Sequence, residues 1–178
     1  MVIGRLFGQL KRNRWAIDKL HDSIVKHAMR PDFYYEGGVR DNFSGRFEMT
    51  SLHAMLVFRR LRRAGLAGRE LTQEVTNALF DGFDEALRDI GTGDLSVGKK
   101  IRKMGEAYYG RAKAYEEALA PGAPEGDLEK ALVRNLGLAP AEGPRFARYV
   151  RLTEDTLERH ENEQLLAAEV NWAKIVLA

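Results

Sequence analysis

One stretch of the chain, GDLSVGKK at residues 93–100, has most of the residues of a phosphate-binding loop. It matches the first seven positions of the pattern G-x-x-x-x-G-K-[ST], in which backbone amides and a lysine bind phosphate groups. The eighth position is Lys100 instead of the Ser or Thr whose hydroxyl binds Mg²⁺. Such a loop also follows a strand, whereas the apolar spacing before Gly93 predicts a helix. We therefore interpret the stretch as a turn followed by the first, basic turn of a helix.

The histidines form no recognisable metal site. His160 and Glu161 begin like the zinc motif H-E-x-x-H, but Gln164 stands where the second histidine would bind zinc. His53 lies in the most apolar segment of the chain, which favours a hydrogen-bonded core histidine over a ligand or a base. The sequence contains no cysteine, which removes thiolate ligands, thiol nucleophiles and disulfides. We therefore expect a protein that is not an enzyme and holds no metal or cofactor.

Apolar residues recur at helical spacing along almost the whole chain, and no segment of useful length alternates as a strand does. We predict an all-α fold, a compact single-domain bundle of about six helices. The domain takes in residues 15–178, after an N-terminal arm at 1–14. The segments with helical spacing are around 13–29, Glu48 to about Ala64, 71–90, 97–119, 128–136 and 146–157, with a last apolar piece at 165–176.

The segment 49–61 is predicted to be the most buried helix, because its apolar positions cover most of the circumference. The glycine-rich residues 36–46 are predicted to be a loop. Asp94 or Ser96 is expected to cap the helix that begins there, and Asp127 is expected to cap the next, short helix.

The net charge of +2 conceals an uneven distribution. Residues 1–63 contain 13 Lys and Arg against 6 Asp and Glu, while residues 125–169 contain 6 against 10. The arm is basic and would be amphipathic as a helix, since Ile3, Leu6, Phe7 and Leu10 would share one face. Such an arm binds an anionic membrane surface, or it is a packed or frayed first helix.

Three features favour a binding surface. The loop EGGVRDNFSGRFEM follows the aromatic run Phe33–Tyr35 and is either a binding loop or an ordinary helix connection. Two basic clusters follow: the first basic cluster, Arg59–Arg63, and the second basic cluster, Lys99–Lys103. They are separate solvated faces, or the fold brings them together as one patch for acidic protein, anionic lipid or RNA. Near Arg111, Tyr109 lies off the apolar stripe of its helix; it is either an interface aromatic or one more core contact.

These segments resemble the ubiquinol–cytochrome c chaperone family. The resemblance rests on RPDFYYEGGVRDNFSGRFEMTSLHAMLVFRRLRR, on LRDIGTGDLSVGKKIRKMGEAYYGRAKAYEEAL and on LEKALVRNLG, in that order. It covers residues 15–136 and leaves the tail at 138–178 outside. The absence of a recognisable mitochondrial presequence indicates a bacterial member.

The resemblance implies a cofactor-free assembly chaperone of the cytochrome bc1 complex, which binds newly made cytochrome b or another bc1 subunit. It implies a cytoplasmic protein, peripheral on the inner membrane; ribosome contact belongs to the mitochondrial members, and DNA is not expected as a partner. The competing hypothesis is an RNA- or ribosome-binding helical module that uses the basic clusters. We expect a modest apolar groove with a rim made by those clusters. The candidate partner-binding residues are Tyr34, Tyr35, Arg40, Asp41, Arg46, Phe47, Arg62, Arg63, Lys99, Lys103, Tyr109 and Arg111.

Overall fold

Helices make up all the regular secondary structure in the described part of the chain. The computed structural model describes the backbone of residues 2–177 and the side chains of residues 14–177. Six of its helices have ten residues or more, which confirms the predicted all-α fold. In chain order the elements are α1 (Val2–Ala28), α2 (Pro31–Tyr35), α3 (Phe43–Leu61), α4 (Gly65–Asp89), α5 (Asp94–Ala118), α6 (Asp127–Leu136), α7 (Gly143–Glu158) and α8 (Asn162–Leu166), with 3-10 turns at Arg62–Ala64 and Pro140–Glu142.

Helix α3 is the centre of the bundle. It contacts α1, α4, α5, α6, α7 and α8. Between residues 49 and 61 every side chain is buried except that of Arg59, and Leu56 is 2% exposed. The sequence prediction that this segment is the buried helix is therefore confirmed. Apolar residues around the whole circumference require neighbours on all sides, and the other helices supply them.

The glycine-rich loop is shorter than predicted, because α3 begins at Phe43. Asn42 caps the helix: its side-chain oxygen accepts a hydrogen bond of 2.9 Å from the backbone N–H of Gly45. A Cβ atom at Gly45 would lie 1.9 Å from the carbonyl oxygen of Arg40. Glycine is therefore needed where the chain folds back against the start of α3. The predicted loop at 36–46 is correct only for residues 36–42.

The predicted caps of two other helices are wrong. Gly93 and Gly126 occupy the N-cap positions of α5 and α6, without a side-chain cap. Asp94 is the first residue of α5, and its carboxylate accepts a hydrogen bond from Arg88 of α4. Asp127 likewise begins α6. Carboxylates in the first turn of a helix interact favourably with the helix dipole. The acidic residues therefore indicated where the two helices begin, but they are not the N-cap residues.

The C-terminal apolar piece is mostly not helical. After α8 the chain runs without regular structure over residues 169–177, which we call the C-terminal strap. The indole N–H of Trp172 donates to Ser23 Oγ of α1 at 3.1 Å. The backbone N–H of Asn171 donates to His160 Nε2 at 3.0 Å. Leu177 is buried, and its carbonyl oxygen accepts a hydrogen bond from Arg145 of α7. The strap therefore ties α7 and the end of the chain to α1.

The first predicted segment is helical, but its apolar face starts later than expected. Leu20, Ile24 and Ala28 are fully buried, whereas Trp15 is 54% exposed and lies beside Lys19, whose Nζ is 4.5 Å from the ring centroid. The backbone of the predicted arm continues α1, and its side chains up to residue 13 lie outside the described residues. Among the described residues, no helix combines the length and the apolarity that crossing a bilayer requires.

Candidate functional site

An apolar groove lies between the C-terminal part of α1, the start of α3 and the C-terminal half of α4. We call it the α1–α3–α4 groove. Its volume is about 430 Å³, which suits one or two large apolar side chains of a partner. The lining residues are Val25, Met29, Asn42, Phe43, Arg46, Phe47, Thr50, Leu79, Gly82, Phe83, Ala86 and Ile90.

Helical spacing builds the walls of this groove. On α4 and its C-cap residue, Leu79, Phe83, Ala86 and Ile90 recur every three or four residues and therefore share one face. The ring of Phe83 meets Phe47 of α3 edge-on, with centroids 5.1 Å apart. Phe47 is 5% exposed, so it forms the floor of the groove. Ile90 is 63% exposed at its edge.

A polar rim borders the groove where α2 and the following loop approach α3. Arg46 Nε donates to Asp41 Oδ1 at 2.7 Å, and this hydrogen bond lowers the pKa of Asp41 and raises that of Arg46. The hydroxyl of Tyr34 donates to the Ala28 carbonyl at 2.8 Å, and burial raises the pKa of Tyr34 to about 12. Tyr35 is 85% exposed. A smaller pocket, lined by these four residues with Met29 and Pro31, adjoins the groove at Met29 and Arg46.

Five of the predicted partner-binding residues are therefore together at one place: Tyr34, Tyr35, Asp41, Arg46 and Phe47. Arg40 is exposed on the same loop. The structure brings these side chains together because α2, the loop and the first turn of α3 are consecutive in the sequence.

The first basic cluster is not a free surface. Arg59 Nε donates to Glu154 at 2.6 Å, and Arg62 forms an ion pair with Glu116. The guanidinium of Arg60 is buried; it donates to Asn162 Oδ1 at 2.8 Å and to the carbonyl oxygen of His160. Arg63 forms an ion pair with Glu158. The cluster joins α3 to α5, α7 and α8. Arg62 and Arg63 are exposed but form ion pairs within the chain, and neither lines the groove, so their role in client binding stays a prediction.

The second basic cluster lies elsewhere. Lys99 and Lys103 are exposed in the first three turns of α5, whereas Glu116, which holds Arg62, is near the end of that helix. Thirteen residues of helix separate Lys103 from Glu116, which is a rise of about 20 Å. The two basic clusters therefore do not form one patch, and neither one lines the groove.

Arg111 belongs to the interior more than to a surface. Its Nε donates to Glu48 Oε2 at 2.5 Å, and the side chain of Glu48 is 7% exposed. Burial raises the pKa of Glu48, and Arg111 opposes this increase. Arg111 therefore has a structural role, since a buried carboxylate needs its partner, and its role in partner binding stays a prediction. Tyr109, two residues earlier, is 64% exposed as predicted and meets the ring of Tyr108 edge-on.

His53 is the core histidine that the sequence predicts. It is fully buried, and its Nδ1 donates to the Met49 carbonyl at 2.7 Å. Its Nε2 therefore accepts from the hydroxyl of Tyr149 at 2.7 Å, and that oxygen accepts from His27 Nε2 at 2.9 Å. Burial lowers the pKa of His53 to about 3 and that of His27 to about 4, with Arg30 also lowering the latter. Both rings are neutral near pH 7 and are poorly matched to acid–base catalysis there.

The phosphate-loop look-alike has a helical structure. Residues 94–100 are the first two turns of α5, and α4 precedes them, as the sequence interpretation predicted. Within the described residues, no group of three or more His, Asp or Glu side chains is arranged to hold a metal ion.

Sequence reasoning missed most of the groove. It predicted a helix over residues 71–90 and did not assign Leu79, Phe83, Ala86 or Ile90 to a binding surface. On this helix the apolar residues cover a wide arc, so one edge packs in the core and the other lines the groove. Two signals were present: Gly82 leaves a gap in the middle of this arc, and Ile90 stands beside a glycine at the helix end.

Comparisons with known proteins agree with this architecture. A sequence model of the ubiquinol–cytochrome c chaperone family matches residues 36–172. The "Ubiquinol-cytochrome c reductase complex assembly factor 1" proteins of Mus musculus and Homo sapiens are each 24% identical over 95% of this chain. The chain spans 60% and 59% of their lengths. The crystal structure of the Cbp3 homolog from Brucella abortus has a TM-score of 0.86 at 30% identity, and the match covers 98% of each chain.

The family match extends the sequence resemblance at one end. The resemblance over 15–136 left out the C-terminal region, whereas the family match includes α7, α8 and part of the strap. It also includes the loop and the first turns of α3 that border the groove. Because the match takes in well over half of the residues, this chain belongs to the ubiquinol–cytochrome c chaperone family.

Proposed function

We propose that this chain is a non-catalytic assembly chaperone for ubiquinol–cytochrome c reductase and that it binds newly made cytochrome b. The α1–α3–α4 groove is the client site in this proposal. The observation that carries it is the pairing of apolar walls with a polar rim, formed by the Arg46–Asp41 ion pair and the exposed Tyr35.

The shape of the groove fits this client class. An apolar helix of a membrane protein has side chains at i, i+3 and i+4, which a groove between helices receives. A groove of about 430 Å³ contacts a short part of such a helix, so binding is weak enough to permit release. The exposed rim pair at Arg46 and Asp41 adds specificity more than affinity. We propose that this binding takes place in the cytoplasm, at the inner-membrane surface where the client is inserted.

The test is affinity capture of cytochrome b from detergent-solubilised native membranes by the full chain. Ile90→Glu puts a charge at the groove edge and is expected to reduce captured cytochrome b at least tenfold. Leu66→Glu is the matched control, since Leu66 lies at the other end of α4, away from the groove, and is 64% exposed against 63% for Ile90. Both variants are expected to keep the thermal transition of the parent chain.

Two results would refute the proposal. If the parent chain captures no cytochrome b, the client is wrong. If Ile90→Glu and Leu66→Glu capture as much as the parent, the groove is not the client site.

A further inference from the structure

The turn between α4 and α5 carries two aliphatic side chains in solvent. Ile90 is 63% exposed, and Leu95, in the first turn of α5, is 100% exposed. Leu95 lies on the opposite side of α5 from Val97, which is fully buried in the bundle. A Cβ atom at Gly91 or Gly93 would meet no atom within 4 Å, so the turn faces open space. We call residues 90–103 the α4–α5 tip.

Four cations follow Leu95 along α5. Lys99, Lys100, Arg102 and Lys103 are all exposed, and none of them forms an ion pair with another described residue. Leu95, Lys99 and Arg102 are spaced by four and three residues, so they share the outer face of α5.

The nearby carboxylates leave an excess of positive charge. Residues 88–103 contain five cations and two carboxylates. One of the two, Asp94, is paired with Arg88, which also binds Asp84. The other, Asp89, is exposed at the end of α4, and Glu106 follows one turn after Arg102 on the outer face.

We propose that the α4–α5 tip is a docking site for an anionic lipid bilayer, with Leu95 and Ile90 inserted among the headgroups. The transfer of exposed aliphatic side chains out of water lowers the free energy of the bound state. Lysines beside them lower it further through electrostatic attraction to anionic headgroups. RNA is the other polyanion that four cations attract, but single-stranded RNA is bound by stacking on aromatic rings. The tip contains no aromatic residue, so its composition favours lipid.

Docking at this tip also orients the client site. Ile90 belongs to both surfaces, because it lines the edge of the α1–α3–α4 groove. A tip held in the headgroup layer brings the mouth of the groove to the bilayer surface, where an apolar helix is available. This consequence rests on the proposed client function, whereas the lipid contact itself is tested without any client.

The experiment is co-sedimentation of the full chain with phosphatidylcholine vesicles, with and without phosphatidylglycerol. The parent chain is expected to bind the anionic vesicles and to be released by salt. Each cation near an anionic surface contributes about a fivefold gain in affinity. The variant Lys99→Gln/Lys100→Gln/Lys103→Gln is therefore expected to bind roughly 100-fold more weakly, and Leu95→Ser about tenfold more weakly.

The control variants change exposed residues of the same types away from the tip. Lys113→Gln/Lys130→Gln removes two lysines whose side chains are each 77% exposed, and Leu66→Ser removes an exposed leucine from α4. Both controls are expected to bind vesicles as the parent does. The altered side chains are exposed, so an unchanged thermal transition verifies that each variant is folded.

Three outcomes overturn the proposal. The first is that the parent chain does not bind anionic vesicles. The second is that the tip variants bind vesicles as tightly as the controls, in which case the lipid contact lies in another part of the chain. In the third, the triple-lysine variant loses affinity for single-stranded RNA while Leu95→Ser leaves vesicle binding unchanged, so the cluster is a nucleic-acid site. Loss of vesicle binding with normal client capture in detergent refutes neither proposal, and it supports the tip as the lipid contact.

Discussion

The two basic clusters have nearly the same composition and opposite roles in the structure. In the first basic cluster each arginine contacts its own chain: Arg59, Arg62 and Arg63 pair with glutamates, and Arg60 is buried against His160 and Asn162. In the second basic cluster the four cations are exposed and form no ion pair among the described residues, although Lys100 donates a hydrogen bond to Thr92 Oγ1 at 3.0 Å. Four cations in five residues therefore hold helices together at one place and form an exposed surface at the other.

The difference teaches that the tertiary neighbours, and not the local charge, decide what a basic cluster does. The acidic residues that pair with the first basic cluster come from α5 and α7, between 54 and 98 positions away in the sequence. At the second basic cluster, the nearby carboxylate Asp94 is taken by Arg88. Arginine is well suited to such contacts between helices, since the N–H groups of its planar guanidinium donate to several acceptors at once.

The largest expected effect is at Arg60, the most buried cation of the first basic cluster. Arg60→Ala leaves the carbonyl of His160 and the side chain of Asn162 without their donor, in a region that excludes water. We expect the free energy of unfolding to fall by about 3 kcal/mol, because buried acceptors lose their partner. Urea denaturation measures this loss. Arg102→Ala in the second basic cluster is the control, with a change within about 0.5 kcal/mol. Equal losses in the two variants would remove the distinction between the clusters.

A second test concerns Arg111. The sequence predicted it to be a partner-binding residue, and in the structure it forms an ion pair between two helices, like the arginines of the first basic cluster. Arg111→Met leaves Glu48 buried without a counter-ion, and we expect a loss of about 2 kcal/mol. Adding Glu48→Gln is expected to restore most of it, because the second change removes the buried charge. Tyr109→Ala, two residues away and exposed, is the control and is expected to change stability little. A double variant as unstable as the single one would contradict the assigned pair.

A charge swap examines the exposed edge of the first basic cluster. Arg62→Glu faces Glu116 with a like charge and is expected to cost about 0.5–1 kcal/mol, the range for a partly exposed pair. The swap Arg62→Glu/Glu116→Arg is expected to recover it. Thermal denaturation at low and high salt measures both variants, since salt screens an exposed pair. A swap that recovers nothing would show that Arg62 acts through packing and not through its charge.

The smallest expected effect has the opposite sign. Lys99→Glu places a glutamate four residues before Lys103 on a helix face that now carries like charges. This arrangement of Glu before Lys is expected to stabilise the protein by about 0.3–0.5 kcal/mol. Reversal in the second basic cluster should therefore raise the thermal midpoint slightly, while reversal in the first lowers it. A destabilised Lys99→Glu variant would mean that Lys99 has a partner within the folded chain.

The elements of the fold were largely predictable from local pattern, and the partners of polar groups were not. The burial of α3 follows from apolar residues on every side of the helix, and His53 follows from its place among them. The predicted N-cap of α5 was wrong because Gly93 occupies that position, and Asp94, the first helical residue, pairs with Arg88 of another helix. The groove could not be predicted from the sequence, because Phe83 and Ile90 have the same apolar character as the core residues beside them. The local sequence predicts which side chains are buried, but it does not predict which residues of other helices cover them.

The C-terminal strap has a consequence for the order in which the chain folds during its synthesis. Ser23 and Trp172 are separated by 149 positions, and Lys19 and Ala167 by 148. Contacts of such separation close late, because the intervening chain must give up its freedom first. The face of α1 that receives Trp172 therefore stays open until synthesis has reached the strap. A nascent chain that stops before residue 170 lacks this covering of α1.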